Sequence, residues 1–158
     1  MHHICRLILI LTAACALLGG CAATPEASRE DDARAKQFES APSSAIVYLY
    51  RTDMPGNDTN TVLYLDGRLV GEILPQSYFR VSVRPGTNLL TTYASNNGRL
   101  EFKTQSGEVY FISVSVHGNE ASFFSDIRSV PPETARAQIL RCCSMLETWK
   151  PGQTRWGF

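Results

Sequence analysis

The chain has 158 residues, with 15 Lys or Arg against 15 Asp or Glu, so its formal net charge at pH 7 is zero. This length suits one domain of ordinary size rather than two. The balanced charge gives no general electrostatic footprint for nucleic acid or anionic lipid, and we expect no nucleic-acid partner.

The amino terminus has the pattern of a targeting segment. Arg6 gives it a positive start, and Leu7 to Leu18 follow without any charged residue. Such a run is shorter than the ~20 residues of a transmembrane helix and fits the ~7–15 residues of a secretory signal. A buried core helix is the structural alternative. We predict that residues 1–20 are a signal peptide.

The sequence Leu18-Gly19-Gly20-Cys21 ends this run and resembles a bacterial lipobox. The resemblance implies cleavage before Cys21 and attachment of palmitate-type acyl chains to Cys21, and two or more chains anchor a protein stably. The next residue is Ala22 and not the aspartate associated with inner-membrane retention in enteric bacteria. The expected location is therefore the outer membrane, on its periplasmic face, with Cys21 as the lipid-attachment site.

Two further cysteines remain after signal removal, Cys142 and Cys143. Adjacent Cα atoms lie ~3.8 Å apart, closer than the ~4.4–6.8 Å of a relaxed disulfide. Packing as two small apolar residues on a helix is the simpler interpretation. Intermolecular pairing or redox sensing is the alternative.

Residues 21–43 are polar and rich in Ala and Ser. They are predicted to form a tether, helical or disordered, that lifts the domain off the lipid surface. Within the tether, Ser28 is placed to cap a helix over about 29–39, because Asp31 falls at the third helical position. Such a helix would leave almost everything exposed except Phe38.

From Ala45 onward, short β-branched and aromatic runs alternate with turn residues about every ten positions, which is typical of a sandwich. The pairs Asp66-Gly67, Asn97-Gly98 and Gly118-Asn119 predict hairpin turns, because these residue types tolerate positive φ. The expected fold is mainly β, an antiparallel β-sandwich of about eight strands within a domain spanning residues 44–147. The predicted strands are 45–51, 61–65, 68–74, 78–83, 88–94, 99–104, 108–116 and 121–127.

The periodicity changes after Val130. Pro132 suits the first turn of a helix, and the apolar positions then recur at helical spacing, at Ala135, Ile139, Cys142 and Leu146. We expect one amphipathic C-terminal helix packed on the sandwich.

The last segment, residues 148–158, contains the aromatic residues Trp149, Trp156 and Phe158. We expect this tail to fold back on the domain. The alternative is an anchor for a partner or for the membrane interface, because Trp suits such places.

No set of residues in the chain predicts catalysis or a cofactor. His117 is the one histidine after the signal, and a hairpin turn is a poor place for the base of a nucleophilic triad. The Asx-rich loop 53–60 invites a calcium interpretation but lacks the alternation and final glutamate of an EF-hand loop. Turn formation explains it more simply. We expect a non-enzymatic protein without cofactor or metal.

Residues 63–75 and 81–87 are similar to the PEGA-type sandwich repeats of cell-envelope proteins. The likeness lies in LYLDGRLVGEILP, a strand with an Asp-Gly turn and a later glycine and proline, and in VSVRPGT, which departs from the Pro-Glu-Gly-Ala motif. Together with the lipobox, residues 35–116 more closely resemble a family of small bacterial lipoproteins classified as a domain of unknown function. This resemblance implies a β-sandwich and envelope residence, and it carries no catalytic residues.

Two functions of different class follow. The leading hypothesis is a lipoprotein whose sandwich binds an envelope protein or glycan, with the 53–60 loop and Tyr48, Tyr50 and Tyr78 as candidate contacts, although strand packing would also explain these tyrosines. The alternative is an inhibitor or protective lipoprotein that blocks a hydrolase or toxin with its turn loops.

Overall fold

Two β-sheets and two short helices make up the part of the chain that the computed structural model describes, residues 24–54, 59–119 and 121–149. The helices are α1 (Arg29–Ala35) and α2 (Pro132–Cys142). The strands are β1 (Ala45–Arg51), β2 (Thr61–Leu65), β3 (Arg68–Ile73), β4 (Ser77–Val83), β5 (Gly86–Thr92), β6 (Arg99–Thr104), β7 (Val109–Asn119), β8 (Ser122–Ser129) and β9 (Ser144–Met145).

The strands form a five-stranded sheet in the order β8-β7-β1-β4-β9 and a four-stranded sheet in the order β3-β2-β5-β6. Most neighbours are antiparallel, whereas the pairs β1–β7 and β4–β9 are parallel. Parallel pairing needs a long connection, and the whole four-stranded sheet lies between β1 and β7 in the chain. The expected mainly-β sandwich of two sheets is confirmed, and its antiparallel pairing holds for all the described strand pairs except these two.

The eight predicted strands are all present, with ends within three residues of those expected. The Asp66-Gly67 turn is confirmed, because both residues have positive φ, 52° and 75°. The connection between β5 and β6 is longer than a two-residue turn and spans residues 93–98. Strand β7 runs through Gly118 and Asn119, so the third turn comes later than predicted.

Strand β1 is buried along its whole length because it is covered on both faces. Its odd-numbered residues, such as Val47 and Leu49, join the core between the two sheets. Its even-numbered residues, such as Tyr48 and Tyr50, lie in a second core beneath the helices. Burial on both faces explains why this strand is a continuous apolar run rather than an alternating one.

The helices form a third layer over the five-stranded sheet. Aromatic rings fill this second core, with ring centroids 5.2 Å apart for Phe38 and Tyr48 and also for Tyr48 and Phe111. Helix α2 contributes Ala135 and Ile139.

The described part of the predicted tether, residues 24–43, packs against the domain. The helix begins as expected, with the Ser28 side chain accepting a hydrogen bond from the Asp31 backbone N–H at 3.1 Å. It ends at Ala35 because the chain turns at Phe38, whose φ is 56°, and the Phe38 ring enters the second core. The spacer interpretation is therefore wrong for this part, because Ala35 and Phe38 lie in the second core and Asp32 accepts a hydrogen bond from Tyr78.

The predicted C-terminal helix is confirmed, but it is shorter than its apolar pattern suggested. The chain becomes extended at Cys143, and β9 follows, pairing with β4. Leu146 consequently lies in the core between the sheets and not on the helix. Neither α1 nor α2, the helices of the described residues, is long and apolar enough to cross a membrane.

Candidate functional site

Several residues singled out in the sequence lie outside the described residues. These are the lipid-attachment candidate Cys21 with the whole predicted signal peptide, residues 55–58 of the Asx-rich loop, and the tail residues Trp156 and Phe158.

The described ends of the 53–60 loop are held by a buried cation. The Arg51 side chain has no exposed surface; its Nε donates to Asp53 Oδ2 at 2.9 Å and its Nη1 donates to the Thr59 carbonyl at 3.0 Å. The same Asp53 oxygen accepts from the Val116 backbone N–H at 3.1 Å. These contacts give Asp53 a structural role. In residues 24–54, 59–119 and 121–149 no three His, Cys, Asp or Glu side chains are placed to hold a metal ion.

The three tyrosines offered as contact residues are fully buried, so that interpretation is wrong and strand packing explains them. The Tyr48 hydroxyl donates to the Ala35 carbonyl at 2.6 Å, and the Tyr78 hydroxyl donates to Asp32 Oδ1 at 2.8 Å. Burial raises the pKa of each hydroxyl, that of Tyr50 included, above its ordinary value. They join the sheet to the helical layer.

Cys142 and Cys143 are both free thiols. The Cys143 sulfur is buried and lies 3.6 Å from the Arg51 carbonyl oxygen, to which it donates. Burial raises the pKa of the Cys143 thiol far above its ordinary value, so this sulfur is a weak nucleophile at neutral pH.

His117 lies on the exposed ribbon of β7 and β8. Its Nε2 is 3.5 Å from Asp126 Oδ2, and both side chains are more than half exposed. An open ribbon gives a general base no enclosed place in which to meet a substrate.

A groove of about 410 Å³ opens on one side of the sandwich, between the β2–β3 hairpin and β4. Residues 65–70 of the hairpin form one wall, residues 81–84 form the other, and Thr148 and Trp149 close one part of it. Strand β3 is an edge strand, and β4 is covered on its outer side only by the two-residue β9, so both sheets are accessible from this side.

A β-bulge shapes the hairpin wall. Leu63 lies opposite Gly71 and Tyr64 lies opposite Leu69, which leaves Val70 as an extra residue in β3. The Val70 carbonyl accepts a hydrogen bond from the Trp149 backbone N–H at 2.8 Å. The Trp149 indole N–H donates to Thr24 Oγ1 at 3.1 Å. The expectation that the tail folds back holds for Trp149.

The mouth of the groove is positively charged. Arg68 and Arg84 line it, both are exposed, and neither takes part in an ion pair among the described residues. Asp66 also lines the groove, and its Oδ1 accepts from the Leu89 backbone N–H at 2.7 Å, so the lining holds two basic side chains and one acidic side chain. Sequence reasoning missed this pair of arginines because they lie 16 positions apart, one at the first position of β3 and one just after β4, where arginine is ordinary.

The β4 backbone is only partly paired on the side of the groove. Strand β9 and the residue after it satisfy the carbonyls of Gln76 and Tyr78, at 3.0 and 2.8 Å. Alternate residues of a strand present their backbone groups to the same side, so Arg80 and Ser82 face this edge as well. Within the described part of the chain their backbone N–H and C=O groups have no backbone partner on this side. Residues 80–82 are called the open edge below.

The architecture is that of a β-sandwich with a helical layer on the five-stranded sheet and a groove at the β3 edge of the four-stranded sheet. The chain belongs to the family described as protein of unknown function DUF2846, whose model matches residues 41–125. This span includes both long walls of the groove but not Trp149. The chain is also 36% identical, over 98 residues, to an uncharacterized protein of Haemophilus influenzae; the match covers 61% of this chain and 58% of that protein. The chain thus matches less than two thirds of that relative's length.

Proposed function

We propose that this chain is a non-enzymatic, lipid-anchored binding module of the bacterial cell envelope. The observation that carries the binding role is the groove of about 410 Å³ that runs beside the open edge of β4. A concave surface with a few polar groups along apolar walls is the usual form of a ligand site. Backbone groups that lack partners add directional hydrogen bonding to it.

The proposed location rests on the amino terminus. An uncharged apolar run followed by Leu18-Gly19-Gly20-Cys21 favours lipid attachment at Cys21, in the outer membrane on its periplasmic face. The relation to PEGA-type repeats is part of the same proposal. It is supported by the Asp66-Gly67 hairpin, which forms a wall of the groove.

The chemistry of the described residues supports a binding role over catalysis. The buried Cys143 thiol is protonated at neutral pH, and His117 lies on an exposed ribbon. The buried Arg51 and its ion-pair partner Asp53 hold a loop.

The anchor is tested by metabolic labelling with an alkyne analogue of palmitate, followed by separation of inner and outer membranes. The wild-type chain is expected to take up label and to sediment with the outer membrane, whereas Cys21→Ala should do neither. Cys142→Ala is the matched control and should be labelled as wild type. Label retained by Cys21→Ala, or an unlabelled wild type, would refute the lipid anchor.

The binding role is tested by crosslinking in intact cells, with mass spectrometry of the proteins that co-purify. We expect a specific set of envelope neighbours with the wild-type chain and its loss with Cys21→Ala. If the labelled wild-type protein shows no specific neighbour under any growth condition, the binding role is refuted even though the anchor stands.

A further inference from the structure

We infer that the ligand of this groove is an extended acidic peptide segment, which adds as a strand to the open edge of β4 and places its carboxylates beside Arg68 and Arg84. This inference rests on the proposed binding function and names the chemistry of the partner.

The backbone of β4 supplies the first step. The chain itself already pairs with this edge two residues before Arg80. There the Leu146 N–H donates to the Tyr78 carbonyl at 2.8 Å. The pairing does not continue beyond Leu146, and the Trp149 N–H donates to the Val70 carbonyl of β3 at 2.8 Å. The next groups in the ladder, those of Arg80 and Ser82, are where an incoming strand would continue. Strand addition to an exposed edge is an established mode of peptide recognition.

The charge of the groove supplies the second step. Arg68 lies on the hairpin wall and Arg84 follows the β4 wall, and both line the same groove. Neither has an acidic partner among the described residues. At the opposite end of the open edge, a neighbouring depression is lined by Asp31 and Glu39 together with Arg34 and Arg80, so its charges balance. The two groove arginines place the acidic residues of the peptide at the Arg84 end of the open edge.

The apolar lining supplies the third step. Leu69 and Val81 face the groove from opposite walls, and Trp149 lies across part of it. Side chains at alternate positions of an extended peptide point to the same side, about 7 Å apart. A peptide that alternates apolar and acidic residues therefore matches the lining.

Charge also favours an acidic peptide over residues 150–158 of this chain as the occupant of the groove. Residues 150–158, KPGQTRWGF, contain Lys150 and Arg155 and no acidic side chain. Their side chains would bring like charge to the arginines at the mouth, which disfavours binding.

The test uses the full-length lipidated chain in detergent and three fluorescein-labelled peptides, with affinity measured by anisotropy. The peptides are TVEVEVT, TVKVKVT, and TVEVEVT with alternate backbone amides methylated. We expect the glutamate peptide to bind at least about tenfold more tightly than the lysine peptide, which corresponds to about 1.4 kcal/mol. Methylation should weaken binding at least about tenfold, because it removes the edge hydrogen bonds while the charge stays.

Charge-reversal variants assign the binding to the groove. Arg68→Glu combined with Arg84→Glu should abolish the preference for the glutamate peptide, and Arg99→Glu, an exposed arginine on the edge strand β6, should leave it intact. Circular dichroism establishes that the variants are folded. The methylated peptide tests the edge without altering the protein at all.

Three results would overturn the inference: equal affinity for the two charged peptides, insensitivity to methylation, or a preference that survives the double charge reversal. Peptide binding that appears only after residues 150–158 are removed would mean that these residues occupy the open edge. Self-association that competes with peptide binding would mean that a second copy occupies the open edge. Either result would also overturn the inference. A protein that binds the peptides but takes up no palmitate analogue would refute the anchor alone. A protein that takes up the palmitate analogue but binds none of the three peptides would refute this inference alone.

Discussion

Gly71 lies at the point where the β-bulge, the inter-sheet core and Trp149 meet. An added Cβ would lie 2.8 Å from Phe79 Cζ and 3.3 Å from Trp149 Cδ1, and the φ of 152° is one that other residues rarely adopt. The absence of a side chain therefore lets the Phe79 ring and the Trp149 indole come together against the backbone of β3.

We predict that Gly71→Ala lowers the free energy of unfolding by about 1–3 kcal/mol through overpacking, in addition to its backbone strain. Gly86→Ala is the matched control, because Gly86 has a φ of 129° but nothing within 4 Å of its added Cβ. Urea denaturation of both variants separates the packing cost from the conformational cost. Equal losses would contradict the proposed contact with Phe79 and Trp149.

Asp32 joins α1 to the sheet through one carboxylate. It accepts hydrogen bonds from Lys36 Nζ at 2.7 Å, from the Tyr78 hydroxyl at 2.8 Å and from the Met145 N–H at 2.9 Å. Partial burial by itself raises the pKa of Asp32, but these donors outweigh it, and the pKa lies below its ordinary value of 3.8. The stabilisation is therefore present above pH 3.8 and is lost as the pH falls through the lower pKa of the folded state.

For Asp32→Asn we predict a loss of about 1–3 kcal/mol in unfolding free energy at pH 7, because charge-assisted hydrogen bonds become weaker. The difference from wild type should shrink as the pH falls below about 4 and through the lower pKa of the folded Asp32, because the wild-type carboxyl then becomes neutral like the Asn amide. Urea titrations at pH 7, 5, 3 and 2 measure it, with the exposed Glu101→Gln as control. A loss that stays constant down to pH 2 would show that the carboxylate charge is not what matters.

At the scale of elements, local patterns predicted the strands and tertiary contacts decided the rest. Alternation and turn chemistry act within a few residues, which is why β1, β2 and β6 were placed without error. Strand β9 has only two residues, and its pairing with β4 depends on where α2 ends, so no local signal marks it. The polar composition of the segment around α1 predicts a tether, although Ala35 and Phe38 reach the second core.

Phe38→Ala tests whether residues 24–43 are an integral layer. We expect a loss of about 3–5 kcal/mol in unfolding free energy, because the ring is buried among Tyr48 and Phe111. Gln37→Ala, its exposed neighbour, should change stability by less than about 0.5 kcal/mol. Chemical denaturation measures both, and equal stability of the two variants would restore the interpretation as a tether.

At the scale of the whole molecule, the outer edge of β8 is protected by the Asn96 side chain, which bonds to the β8 backbone as a neighbouring strand would. The Asn96 amide donates to the Ser125 carbonyl at 2.8 Å, and its Oδ1 accepts from the Ser125 N–H at 3.0 Å. The β5–β6 connection thereby covers part of the β8 edge. Edge strands that lack such protection tend to pair with other chains.

Asn96→Ala is expected to cost about 1–3 kcal/mol in unfolding free energy, because two backbone groups of Ser125 lose their partner. It should also cause self-association that rises with concentration, detectable by light scattering. Ser95→Ala is the control, since the backbone bond from Ser95 to Phe123 is kept. A variant as stable and as monomeric as wild type would show that Asn96 does not protect the edge.

The candidate site was less predictable than the fold. Folding back of Trp149 followed from its aromatic character, and the Asp66-Gly67 turn followed from its φ requirement. The groove itself depends on the register of β2 with β3 and on how the two sheets stack, which brings Arg68 near Arg84. Neither the strand register nor the stacking of the sheets can be predicted from a short stretch of sequence.

The burial of Thr24 limits which partners a lipid-anchored form of the protein could reach. Thr24 is buried and donates to the Glu72 carbonyl at 2.9 Å, so a residue only three positions after Cys21 is packed into the domain. Three extended residues span at most about 11 Å. If Cys21 carries the proposed lipid, the domain stays against the bilayer surface, and it meets its ligands by two-dimensional diffusion along the membrane. Proteins that never approach that surface would then be out of its reach, whatever their affinity for the groove.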